Sequence, residues 1–144
     1  MLLSKHFSLE EMIDSEIAAR NGLDNAPPDV IRPELISLCE QELEKVRLLV
    51  NSPVTVISGY RSPEVNRLAK GSSNSQHMRG QAADIRVAGR TTQELFDLIS
   101  ASSIRFDQLI QEFSSWVHIS RSDKPRRQRL YATKVNGESV YTPA

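Results

Sequence analysis

Apolar residues recur at helical spacing through the first third of the chain and at strand spacing further on. Phe7-Ser8-Leu9-Glu10-Glu11-Met12 predicts a helix start. Ser8 is a capping residue, Glu11 stands where a capping box needs an acid, and Phe7 and Met12 occupy the positions of a hydrophobic staple. The helix is predicted to stop near Asn21-Gly22, a C-cap signal. Asn25-Ala26-Pro27-Pro28 reads as extended loop. Leu35, Leu38, Leu43, Val46, Leu49 and Val50 make a helical stripe, which predicts a second helix from about Pro33 to just before Asn51-Ser52-Pro53.

From Val54 the pattern changes. The β-branched run Val54 to Tyr60 predicts a strand, and Ser62-Pro63 caps a short helix to Leu68. Gly71 to Ser75 is a polar loop, and Ala82 to Val87 alternates as a strand. Thr91-Thr92-Gln93-Glu94 opens another helix through Leu95, Leu98 and Ile99. Phe106 to Glu112 and Trp116 to Ser120 predict two strands joined tightly at Ser114-Ser115, and Asn136-Gly137 signals a hairpin in the tail. The expected fold class is α+β, with N-terminal helices packed on a mostly antiparallel sheet. Without a repeat or linker, residues 1–144 are expected to form a single domain.

Charge narrows the function classes. The 18 basic and 18 acidic residues cancel, so no overall field holds the chain on nucleic acid or an anionic membrane. The basic run Arg121, Lys124, Arg126, Arg127 and Arg129 is expected to be a solvated loop, because it lacks interleaved aromatics. Lone Cys39, among leucines, is expected to pack as a small apolar residue. No secretory signal and no membrane span are read, so the chain is expected to be made in the cytoplasm, with no membrane or nucleic-acid partner, and to be a monomer.

His77 and Asp84, seven residues apart, and His118 further on are donor types of a three-ligand zinc site with one position left for water. Such an open site can perform hydrolysis. Gly80 would let the chain bend back between His77 and Asp84, while Ala82 and Ala83 suit close packing around an ion. Trp116 and His118 share a strand face. A three-residue bulged connection would set Glu112 opposite His118. A two-residue turn would set Gln111 there and send Glu112 to the other face.

Taken together, Ser75-x-His77-x-x-Gly80-x-Ala82-x-Asp84 followed by Trp116-x-His118 resembles the zinc D-Ala-D-Ala carboxypeptidase family, peptidase family M15. Ser58-Gly59-Tyr60-Arg61-Ser62-Pro63 and Asn66 are similar to another signature of that family. The start, Phe7 to Met12 with Asn25-x-Pro27, resembles its small branch common in phages and prophages. The resemblance covers about residues 6–120 and leaves 121–144 as an extension without a placed motif.

The resemblance implies a Hedgehog/DD-peptidase-like fold and one zinc ion held by His77, Asp84 and His118. It also implies Glu112 as acid/base, Arg61 on an oxyanion or peptide carboxylate, and Ser75 and Trp116 as substrate contacts. Gln81 is a weaker candidate to orient a ligand. In several branches the glutamate lies three residues before the last histidine, where this chain has Ser115, so Glu112 is the nearby acid. The implied activity is a zinc metallopeptidase cutting peptidoglycan stem peptides, either as a D-Ala-D-Ala carboxypeptidase or as an endolysin-type endopeptidase. It would act on the cell wall after phage-type release or as a virion component. The alternative is a non-catalytic, zinc-bearing structural or wall-binding module.

Overall fold

A computed structural model describes residues 1–144. Its helices are α1 (Leu9–Ile13), α2 (Glu16–Arg20), α3 (Arg32–Leu38), α4 (Glu44–Val50), α5 (Pro63–Leu68) and α6 (Thr92–Ser100). The strands are β1 (Thr55–Ser58), β2 (Ala82–Arg86), β3 (Gln108–Glu112), β4 (Trp116–Ser120), β5 (Gln128–Val135) and β6 (Glu138–Pro143). The fold is α+β, as expected.

The capping box at Ser8 forms as its spacing requires: the Glu11 amide donates to Ser8 Oγ, and Glu11 Oε1 accepts from the Ser8 amide. The predicted single helix to Asn21 is instead two. The Met12 carbonyl accepts from the Tyr60 amide at 2.7 Å, and the Ile13 carbonyl accepts from Asn25 Nδ2 at 2.8 Å. These tertiary donors occupy the oxygens that would have continued the helix, and Ser15 caps α2 afresh. The second predicted helix is a rod from Arg32 to Val50 that contains a π-helical turn at Cys39–Leu43. Cys39 is fully buried there, as expected of a packing residue, and burial pushes its thiol up to about 12.

The sheet runs in the order β1-β2-β4-β3-β5-β6. Every neighbouring pair is antiparallel except β3 and β5. One face packs Ile85, Val117, Ile119 and Leu109 into the core beneath α6 and the long rod. The other face carries Asp84, His118, Glu112 and Trp116, because residues paired across strands share a face and neighbours along a strand alternate. Burial of the apolar face drives assembly at roughly 25 cal/mol per Å² of apolar surface removed from water.

The basic run departs from the expected solvated loop. It runs through the crossover from β4 into the start of β5, and most of its arginines are tied down. Arg126 grips the buried Asp107 through two side-chain bonds of 2.9 and 2.7 Å. Arg127 lies over the Phe106 ring and donates to the Ser102 and Ile104 carbonyls. Arg129 donates to Ser100. A parallel strand pair needs a crossover connection, and these contacts hold it in place. Beyond it, Asn136 and Gly137 both take positive φ (52° and 81°), the signature of the predicted hairpin turn between β5 and β6.

Candidate metal centre

The polar face of the sheet gathers residues from distant parts of the chain. Asp84 on β2 pairs with His118 on β4 and with Ser58 on β1. His77 arrives from a single 3-10 turn, Gln76–Arg79, whose first amide contact is His77 N–H to Ser75 Oγ at 3.2 Å. Gly80 ends this turn with φ +69°, the bend its position predicted, and a Cβ there would meet Ile31 Cγ2 at 2.8 Å. His77 Nδ1 donates to the Gly59 carbonyl at 2.7 Å. A carbonyl only accepts, so the proton sits on Nδ1 and Nε2 keeps its lone pair. Gly59 has its own constraint: a Cβ would come within 2.4 Å of the Met12 carbonyl oxygen.

Asp84 Oδ1 lies 3.0 Å from His118 Nδ1 and 3.3 Å from His77 Nε2. One ligand atom from each of the three residues lies within 4.8 Å of the others, and all three residues are buried. A tetrahedral zinc with bonds of ~2.0–2.1 Å has ligand-to-ligand edges of roughly 3.3–3.5 Å. The donor types and the two short separations therefore fit a zinc ion. The Gly59 contact to His77 is the kind of backbone partner that orients a metal-bound imidazole.

Burial alone would raise the Asp84 pKa, but the two imidazoles reverse the effect and hold it well below the usual carboxylate range. Burial lowers His77. Burial also opposes charge on His118, yet the hydrogen bond and charge of Asp84 outweigh it and raise that pKa. Arg61 completes the surroundings: Nε donates to Ser58 Oγ at 3.1 Å, one terminal nitrogen to Asn66 Oδ1 at 3.2 Å and the other to Asp84 Oδ2 at 3.3 Å. Three of the five guanidinium N–H donors are thus engaged inside the protein.

Glu112 does not stand opposite His118. The β3–β4 connection holds three residues, Phe113 to Ser115, with positive φ at Phe113 and Ser114. The register pairs Glu112 with Trp116 and Ile110 with His118. Glu112 still points to the face of Asp84 and His118, one step along the diagonal. Its Oε1 accepts from Trp116 Nε1 at 2.7 Å. Burial and then the charge of Asp84 raise its pKa, against the opposing His118, Trp116 and Arg61.

Gln81 is not brought to the cluster; its amide contacts Glu34 and Arg79. Ser75 touches the His77 amide, and Trp116 touches Glu112. The contact that sequence reasoning missed is the Gly59 carbonyl. The Ser58-Gly59-Tyr60-Arg61 stretch was legible as a signature, but a backbone oxygen leaves no side-chain trace in a sequence.

A buried His-Asp-His group that could hold a metal ion, with a carboxylate of raised pKa beside it on an α+β sheet, fits the needs of a metal-dependent hydrolase. The family described as Peptidase M15 matches residues 5–120, most of the chain, and the chain belongs to that family. Membership implies zinc metallopeptidase activity on a peptide substrate. No curated protein matches the chain. No helix is long and apolar enough to cross a membrane.

Proposed function

We propose that this protein hydrolyses peptide bonds in peptidoglycan stem peptides, as a D-Ala-D-Ala carboxypeptidase or an endolysin-type endopeptidase. The observation that supports it best is the shared face: Glu112 points to the same side of the sheet as Asp84 and His118. A Glu112 turned to the opposite face would have favoured a zinc-bearing binding module.

In this reading His77 Nε2, Asp84 Oδ1 and His118 Nδ1 hold one zinc ion. Zinc bound there supplies a Lewis acid and lowers the pKa of a water to about 7. The chain's own groups do the rest. Glu112 Oε1 is occupied by the Trp116 indole, so Oε2 is the oxygen that takes a proton from water and returns it to the leaving amine. Its raised pKa suits both transfers. Trp116, a donor only, holds the carboxylate in place. Arg61 steadies Asp84 and offers its two unengaged N–H donors to the charge developing on the scissile carbonyl oxygen, or to a peptide carboxylate. Ser75 places the turn that carries His77.

The protein would work as a single domain and a monomer, reaching the wall by phage-type release or as a virion component. Digestion of purified peptidoglycan by the zinc-loaded protein, with product masses read by mass spectrometry, tests the proposal. A loss of terminal D-Ala identifies the carboxypeptidase, and cross-link fragments identify the endopeptidase. Absence of products across several wall types overturns it.

A further inference from the structure

The C-terminal hairpin lies beyond residue 120, where the family match ends. It is nevertheless continuous with the site. The register runs Trp116 to Glu112, Glu112 to Ala132, and Ala132 to Tyr141, across β4, β3, β5 and β6. Paired residues share a face, so an indole, a carboxylate, a methyl and a phenol stand in one row on the polar side of the sheet. The flanking residues alternate away from it: Tyr131 packs on Phe96 of α6, on the core side.

At strand spacings of ~4.8 Å, two steps separate the Tyr141 and Glu112 backbones by roughly 10 Å. A tyrosine side chain spans most of that distance, and the residue between them is only an alanine. Ala132 is 1 % exposed and lies on the same face of the sheet as the buried Glu112 and Asp84. Tyr141 itself is 51 % exposed. Its phenol is held above its ordinary pKa, first by burial and then by the negative charges of Glu112 and Asp84, with Arg61 opposing. Those are the charges of the metal centre, and the phenol stays protonated at neutral pH.

We propose that Tyr141 is a substrate-contacting residue whose phenol O–H donates to a backbone carbonyl of the peptide lying across Glu112. The inference rests on the peptidase reading above. A peptide carbonyl needs a donor, and between the two ends of the row stand only a carboxylate and a methyl; Trp116 Nε1 already donates to Glu112. A neutral phenol supplies the donor without a charge that would compete with Glu112 for protons. The hairpin thereby becomes one wall of the substrate site, with Trp116 as the other.

Tyr141→Phe keeps the ring and removes the donor; Tyr141→Ala removes both. Tyr141→Phe is expected to lower kcat/KM on a wall stem peptide by about tenfold, and Tyr141→Ala by more. Zinc content and melting temperature should stay at the wild-type values, because the side chain is half exposed. Equal kcat/KM for wild type and both variants, on a wild type that cleaves, overturns this inference alone. A wild type inert on wall peptides overturns the peptidase reading instead. A second readout needs no turnover: in zinc-free protein with ¹³C-labelled tyrosine, Glu112→Gln should move the Tyr141 phenol titration to lower pH. A titration that does not respond removes Tyr141 from the site.

Discussion

Two carboxylates on one face of the sheet behave in opposite ways. Around Asp84, on β2, two imidazoles and a guanidinium converge, and the acid is held ionised despite complete burial. Around Glu112, on β3, the nearest contact is a neutral indole, and burial plus the charge of Asp84 makes it cling to its proton. Residue type does not separate their roles; surroundings do. An acid held ionised by two imidazoles and a guanidinium suits a metal ligand, and a desolvated acid beside another acid suits a proton carrier.

The largest effect should come from breaking the Asp84 side. His77→Ala or Asp84→Ala is expected to abolish stoichiometric zinc, read by elemental analysis, and hydrolysis with it. Unchanged metal content would remove that residue from the ligand set. Next is the Glu112 side: Glu112→Gln should leave zinc bound while hydrolysis falls by ~10²–10⁴-fold. Activity equal to wild type would end its role as acid/base.

A smaller loss is expected from Trp116→Phe, which deletes the indole N–H on Glu112. Rate should fall about tenfold. Because that hydrogen bond lowers the Glu112 pKa, its removal should shift the acidic limb of the pH–rate profile upward. A limb that moves down, or not at all, would show that the indole does not tune the acid.

The smallest effect is on stability of the zinc-free protein, and here the two acids should part company. Asp84 has a depressed folded pKa, so its contribution is present above the unfolded value of about 4 and is lost as pH falls. Glu112 has a raised folded pKa, so the native state binds the extra proton and its contribution is lost as pH rises. Glu112→Gln should therefore raise the melting temperature of the zinc-free protein by about 2–5 °C at pH 7 and leave it unchanged below about pH 4. A lower melting temperature at pH 7 by calorimetry would contradict the opposition between the two sites.

Local signals along the chain held where the backbone satisfied itself locally. The capping boxes at Ser8 and Thr91, the Ser62-Pro63 helix start and the Asn136-Gly137 turn each form within a few residues of their own sequence. The first helix broke because its carbonyls were taken by Tyr60 and Asn25, residues that no local pattern connects to it. The basic run departs from a solvated loop for the same reason: Asp107 and Phe106, which hold Arg126 and Arg127, are about 20 residues away.

The metal cluster was legible as residue types at a motif's spacing, because donor chemistry belongs to side chains and is written in the sequence. By itself the sequence determined the α+β order of elements, the three candidate ligands and the acid nearest to them. Only the tertiary structure decided that Glu112 pairs with Trp116 and stands diagonal to His118. It also decided that a backbone carbonyl sets the His77 tautomer, and that Tyr141 joins the row from beyond the matched region. Register, carbonyl placement and strand order are relations between segments. A one-residue slip would have reversed every face without changing a letter of the chain.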